Sequence, residues 1–198
     1  MSNKPIYFIS IFLFFSFWNL NYSIADNGEL LLGKKDSKVT VKVFSSLTCP
    51  HCANFHKNIF KKLEKEYFNS VRFEHHGFPL DMAALNAEKV LGCFESKQKK
   101  INFLNELYEK QDSWASGSDI NSINTNLIKI GNKHGLNNDM IKKCLEDEKI
   151  EDKILNARIM AQKEYSIEST PTIFINDKEY TGKHNYEEFR KIIEIENK

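Results

Sequence analysis

Valines at positions 39, 41 and 43 alternate with Thr40 and Lys42, and Phe44 extends the run, a period-two pattern that predicts a strand. From about Pro50 to Tyr67 the apolar positions Cys52, Phe55, Ile59 and Leu63 recur every three or four residues, which puts them on one face of a helix. Val71, Phe73 and His75 then alternate with Arg72 and Glu74. These three segments make a β-α-β unit, whose strands should be parallel. After Gly77-Phe78-Pro79 the period becomes helical and stays so. Ala84, Ala87, Leu91 and Phe94 share one face, Met140, Ile141, Cys144 and Leu145 a second, and Ile150, Ile154, Ala157, Ala161 and Tyr165 a third. Strand character returns at Thr172 to Ile175, and a turn at Asn176-Asp177 leads into a short strand through Glu179-Tyr180. Asn185, with Glu188 three residues on, caps a last helix whose apolar side is Tyr186, Phe189, Ile192 and Ile193. The order is β-α-β, a helical block, then β-β-α.

The first residues have a different pattern. Lys4, an apolar stretch from Ile6 to Trp18 and polar residues leading to Ser23-Ile24-Ala25 read as an export signal, cleaved after Ala25. The stretch is short for a bilayer span, so an uncleaved N-terminal membrane anchor is the alternative. Cleavage would remove one basic and no acidic side chain, taking the formal charge from +1 to zero. Such a balance calls for no nucleic-acid partner, and the cluster Lys97, Lys99 and Lys100 reads as a solvated face. Export also sets the redox context: outside the cytoplasm four cysteines can exist as two disulfides.

The chemistry is concentrated in Cys49-Pro50-His51-Cys52, at the predicted strand-to-helix turn. Two cysteines separated by two residues at a helix start can bring their sulfurs to bonding distance without moving the backbone. The sulfur of Cys49 would lie near N–H groups that lack intrahelical partners and near the positive end of the helix dipole, both of which stabilise a thiolate. Pro50 suits the first helical position, and His51 adds a donor or a positive charge. Cys49 is thus the expected exposed nucleophile and Cys52 the buried resolving thiol. A zinc site built from Cys49, Cys52 and nearby histidines is the competing reading; zinc ribbons need a second closely spaced ligand pair, and His75-His76 closes a strand without an evident fourth ligand. His56 reads as a packed histidine, His134 and His184 as loop residues. Pro171, taken by itself, reads as a proline opening a strand.

The chain resembles the thioredoxin superfamily and, within it, the exported disulfide oxidases of the DsbA family. The likeness rests on Cys49-Pro50-His51-Cys52 after the strand Val39 to Phe44, on Thr170-Pro171-Thr172 opening a later strand, and on a helical block between the two halves. It implies an α/β thioredoxin fold, with residues 26–78 and 166–198 forming the thioredoxin domain, residues 79–165 an inserted helical domain and residues 1–25 a signal peptide. It implies a cis bond between Thr170 and Pro171, packed against the Cys49–Cys52 pair so that the Thr170 backbone can pair with an extended substrate segment. No cofactor or metal is implied. The partners implied are reduced exported client proteins and a quinone-linked membrane oxidase of the DsbB type. Cys93 and Cys144 would pair by default in an oxidising compartment, and some alphaproteobacterial relatives carry such a second, non-catalytic disulfide; two unpaired buried thiols are the other reading.

Two positions depart from the family pattern. A buried carboxylate often stands six residues before the first cysteine, where this chain has Val43, so no proton relay runs through that group. Thr170 stands where the strong oxidase has valine and isomerases also have threonine, which leaves the direction open between oxidation and isomerisation or reduction. Only the short stretch from Asp26 to Lys38 separates the cleavage point from the first predicted strand, so a monomer rather than an isomerase-like dimer is expected.

Overall fold

The computed structural model describes residues 29–198, and the export signal expected over residues 1–25 lies outside them. Five strands form one sheet: β1 (Glu29–Gly33), β2 (Val39–Ser45), β3 (Val71–Gly77), β4 (Thr172–Ile175) and β5 (Lys178–Glu179), in the order β1-β3-β2-β4-β5. β2 and β3 are parallel, Val41 facing Phe73 and Val43 facing His75, and the other pairs are antiparallel. The parallel pair follows from the helical crossover between the two strands. With its helices, this sheet is a thioredoxin fold.

β1 is an addition to the expected elements. Leu30, Leu31 and Leu32 do not alternate with polar residues, so only pairing with β3 makes this segment a strand. The helix expected from Pro50 to Tyr67 is three pieces: α1 (Pro50–Phe55), a π turn (His56–Phe60) and α2 (Lys61–Tyr67). The wider π turn brings His56, Ile59 and Phe60 all into the core, with the His56 ring stacked on Phe60 at 5.3 Å.

Between β3 and β4 run α3 (Met82–Gly92), α4 (Lys97–Glu109), α5 (Gln111–Trp114), α6 (Ile120–Lys133), α7 (Asn138–Glu146) and α8 (Glu148–Tyr165); α9 (Tyr186–Glu196) closes the chain. One sheet face, carrying Val39, Val41, Val43, Val71 and Phe73, joins Phe55, Leu63 and Phe189 and the apolar sides of α3, α4 and α6 in the main core. The other face holds a small cluster of Phe44, Phe78, Ala161, Ile167 and Phe174. α3 is buried from Ala83 to Leu91 on all sides rather than along one stripe. The stripe expected on α8 is half-exposed instead, with Ala161 as its only buried residue, because the second sheet face offers so little apolar surface to cover. Among the described residues no helix is long and apolar enough to cross a membrane.

Candidate active site

β2 ends at Ser45, and Ser46, Leu47 and Thr48 carry the chain to Cys49, the N-cap of α1. Its extended backbone (φ −76°, ψ 120°) lets the side chain turn back over the first helical turn, where the N–H of Cys52 donates to Cys49 Sγ at 3.4 Å. A free helical N–H thus faces this sulfur, the arrangement that steadies an anion at a helix start. Pro50 occupies the first turn, where its missing N–H leaves no orphan. His51 is exposed beside it. Cys49 and Cys52 are both free thiols.

Cys49 is not the exposed group that helix geometry alone suggested. It is only 8% accessible, because the loop carrying Thr170 and Pro171 packs across it and Cys49 Sγ donates to the Thr170 carbonyl at 3.4 Å. The peptide bond between Thr170 and Pro171 is cis. Cys52 is wholly buried, and burial pushes its thiol up to about 12 against the opposing pull of the Ser45 and Thr170 side chains and the Ser46 N–H. Both sulfurs are thus buried, one beneath a backbone carbonyl and the other wholly enclosed.

Two residues that sequence reading missed hold this loop from the helical region. Gln111, buried at the start of α5, donates its Nε2 to the carbonyls of Leu47 (2.8 Å) and Cys49 (3.0 Å). Thr48 donates its hydroxyl to Asp81 Oδ2 at 2.8 Å, while Asp81 Oδ1 caps α3 by accepting from the Ala84 N–H at 2.7 Å. Asp81 could have been found as an N-cap ahead of a helical run; Gln111 has no local signal, since its partners lie more than sixty residues away.

The histidines sort differently from expectation in two cases. His56 is buried and donates to Asn105 Oδ1 at 2.7 Å, and burial drives its imidazole down to about 3. His134 is not a free loop residue but caps the end of α6 and lies 2.7 Å from Glu106. His184 lies in the loop before α9, yet its ring packs against Phe55, Tyr180 and Phe189, and burial with the nearby His51 depresses its imidazole. Cys93, at the C-cap of α3, is bonded to Cys144 in the last turn of α7, with 6.3 Å between the Cα atoms. Among the described residues no group of three or more His, Cys, Asp or Glu is placed to hold a metal ion.

The sequence profile of the thioredoxin family matches residues 25–195. The disulfide bond formation protein D of Bacillus subtilis is 30% identical over 180 residues, which cover 85% of this chain and 77% of that one. A Rickettsia typhi relative, provisionally named a protein-disulfide oxidoreductase, is 30% identical over 76% of this chain, and the match spans only 56% of its own length. The crystal structure of Wolbachia pipientis alpha-DsbA1 superposes with a TM-score of 0.77 at 29% identity, covering 85% of this chain and 90% of the other.

Proposed function

The chain belongs to the thioredoxin family, in its DsbA-like branch, and on that premise we propose that it is a protein thiol-disulfide oxidoreductase donating a Cys49–Cys52 disulfide to folding proteins. The observation that carries the reading is the placement of Cys49 at a helix N-cap, with the Cys52 N–H on its sulfur, Cys52 buried behind it and the Thr170 carbonyl across it. Each part has a role in one exchange.

In the oxidised protein a client thiolate attacks Cys49 Sγ, the Cys49–Cys52 bond breaks, and its electron pair goes to Cys52, which takes up a proton in the core. A second client thiolate then attacks the client sulfur of the mixed disulfide. Cys49 leaves as a thiolate steadied by the start of α1 and by His51, and the client holds the new disulfide. Two electrons pass from client to protein. The more comfortable the departing anion, the further the equilibrium favours the reduced protein and the stronger the oxidant. Thr170 and Pro171 would line the client's path, with the Thr170 backbone pairing with an extended segment. The Cys93–Cys144 bond, on separate helices away from this path, serves as a structural staple.

The setting follows from the same reading. The protein would work as an exported monomer on reduced client proteins, with residues 79–165 as an insertion in the thioredoxin domain and a DsbB-type quinone-linked membrane oxidase restoring the disulfide. Equilibration of the Cys49–Cys52 couple with mixtures of reduced and oxidised glutathione, followed by acid trapping and mass-tag alkylation, tests the direction. The couple should stay largely reduced even in mixtures rich in the oxidised form. A couple as reducing as cytoplasmic thioredoxin would overturn donation and leave a reductase or isomerase.

A further inference from the structure

Cys52 has no surface through which to exchange a proton, yet each turn of the proposed cycle must deliver one proton to it and take it away again. The strand beneath it gives no help at Val43, which faces the main core. Behind the sulfur, however, polar groups follow one another into the helical region. Ser45, buried at the end of β2, turns its side chain toward the sulfur, and its Oγ lies 2.6 Å from the hydroxyl of Tyr108, a fully buried residue of α4. The His75 ring of β3 lies edge-on to Tyr108 with centroids 6.1 Å apart, and through His75 the Glu88 carboxylate of α3 belongs to the same buried cluster.

His75 and Glu88 are the unusual members. Nε2 of His75 and Oε1 of Glu88 are 3.9 Å apart, both side chains are buried, and neither of these atoms has a hydrogen-bond partner. An unmade bond on a buried polar atom is costly, so a fold rarely keeps two such atoms side by side without a use for them. Space for the pair is also provided: a Cβ at Gly77 would come within 2.7 Å of the Glu88 carboxyl carbon. His75 is the register partner of Val43, so the group facing Tyr108 comes from the neighbouring strand and the carboxylate from the inserted helices.

We infer that Ser45, Tyr108, His75 and Glu88 form the proton route of Cys52, with the Glu88–His75 pair as the reservoir at its inner end; this rests on the cycling of the Cys49–Cys52 couple proposed above. When the client breaks the disulfide, the Ser45 hydroxyl proton moves to Cys52 Sγ, the Tyr108 hydroxyl proton to Ser45, and a proton from the pair to the Tyr108 oxygen. When Cys52 attacks a mixed disulfide on Cys49, the Cys49–Cys52 bond forms, the partner leaves as a thiolate, and the proton returns along the same atoms. The reservoir is thereby restored over a full cycle. The titratable groups around this route are Cys49 at the N-cap of α1, His56 of the π turn with its ring 4.5 Å from that of Tyr108, His75, Glu88 and Tyr108 itself.

The test is single-turnover closing of a Cys49–glutathione adduct by Cys52 in the full chain, followed by quenched-flow alkylation across a pH series. Tyr108→Phe removes only a hydroxyl and Glu88→Gln keeps the shape of the side chain. Each should slow closing by about tenfold or more and flatten its pH profile, as expected for loss of an acid–base step. The double variant should close no more slowly than the slower single one, because both interrupt one path. Closing at the wild-type rate with an unchanged pH profile, or effects that multiply, would overturn the route. If Glu88→Gln fails to fold, Tyr108→Phe decides alone by the same rate and profile. A wild-type adduct that never closes would instead remove the redox cycle proposed for the couple.

Discussion

The two cysteine pairs of this chain sit at opposite ends of helices. Cys49 is the N-cap of α1, with a backbone N–H directed at its sulfur, whereas Cys93 is the C-cap of α3 and Cys144 lies in the last turn of α7. Cys93 Sγ lies 3.3 Å from the Lys89 carbonyl. N–H groups and the positive end of the dipole favour a thiolate, while carbonyls and the negative end disfavour one. The same side chain therefore meets a helix start and an N–H donor in one place, and helix ends and a carbonyl in the other. Chain distance adds to this: the first pair closes one helical turn, the second a separation of 51 residues.

Breaking each pair separately should give opposite results. Cys49→Ser should reduce oxidation of a dithiol peptide by orders of magnitude, to the background rate, and leave unfolding by denaturant little altered. Cys93→Ala with Cys144→Ala should keep the peptide oxidised at near the original rate but cost roughly 4 kcal/mol of stability by the chain-entropy relation for a loop of that size. Loss of peptide oxidation in the second protein, with its fold intact, would contradict the division of labour.

A smaller effect should come from the tie between the two regions. Gln111→Ala leaves the buried carbonyls of Leu47 and Cys49 without their donor, which should cost about 1–3 kcal/mol in denaturant unfolding. It should also quicken alkylation of Cys49, since the loop beneath that sulfur is loosened. An unchanged midpoint and alkylation rate would show that the two regions are independent.

The last effect vanishes at neutral pH and concerns acid. His56 titrates at about 3 in the folded protein and near 6.5 when unfolded, so between these values the unfolded chain binds a proton that the folded one does not. Stability should fall as pH drops from about 6.5 toward 3. His56→Gln, which can still donate to Asn105, should make that decline shallower, with His184 contributing part of what remains. Denaturant midpoints measured across the window check this, and identical slopes for the two proteins would refute it.

The elements legible in the sequence are those whose signals are local. The alternation of Val39 to Phe44, the turn before β5 with Asn176 at positive φ, and the Asn185 side chain accepting from the Glu188 N–H are all specified within a few residues. β1 was not legible because three leucines in a row carry no period. The π turn depends on His56 and Phe60 both finding room in the core. At the turn from Cys49 to Cys52, the helix start and the buried Cys52 could be read from spacing. The cover over Cys49, a carbonyl 121 residues away, has no local signal and was reached only through the resemblance, which sets Thr170 and Pro171 against the pair. Gln111 was invisible for the same reason, and α8 misled because its stripe is regular while the surface available to it is small.

The grip of Gln111 and Asp81 on the loop before Cys49 has a consequence for how the molecule comes apart. A segment whose carbonyls are pinned by α5 and whose Thr48 is moored to the cap of α3 opens only when those helices let go. Slow hydrogen exchange at the Cys49 turn should then rise and fall with that of α3 and α5, as one cooperative unit, so injury to those helices reaches the sulfur without touching it.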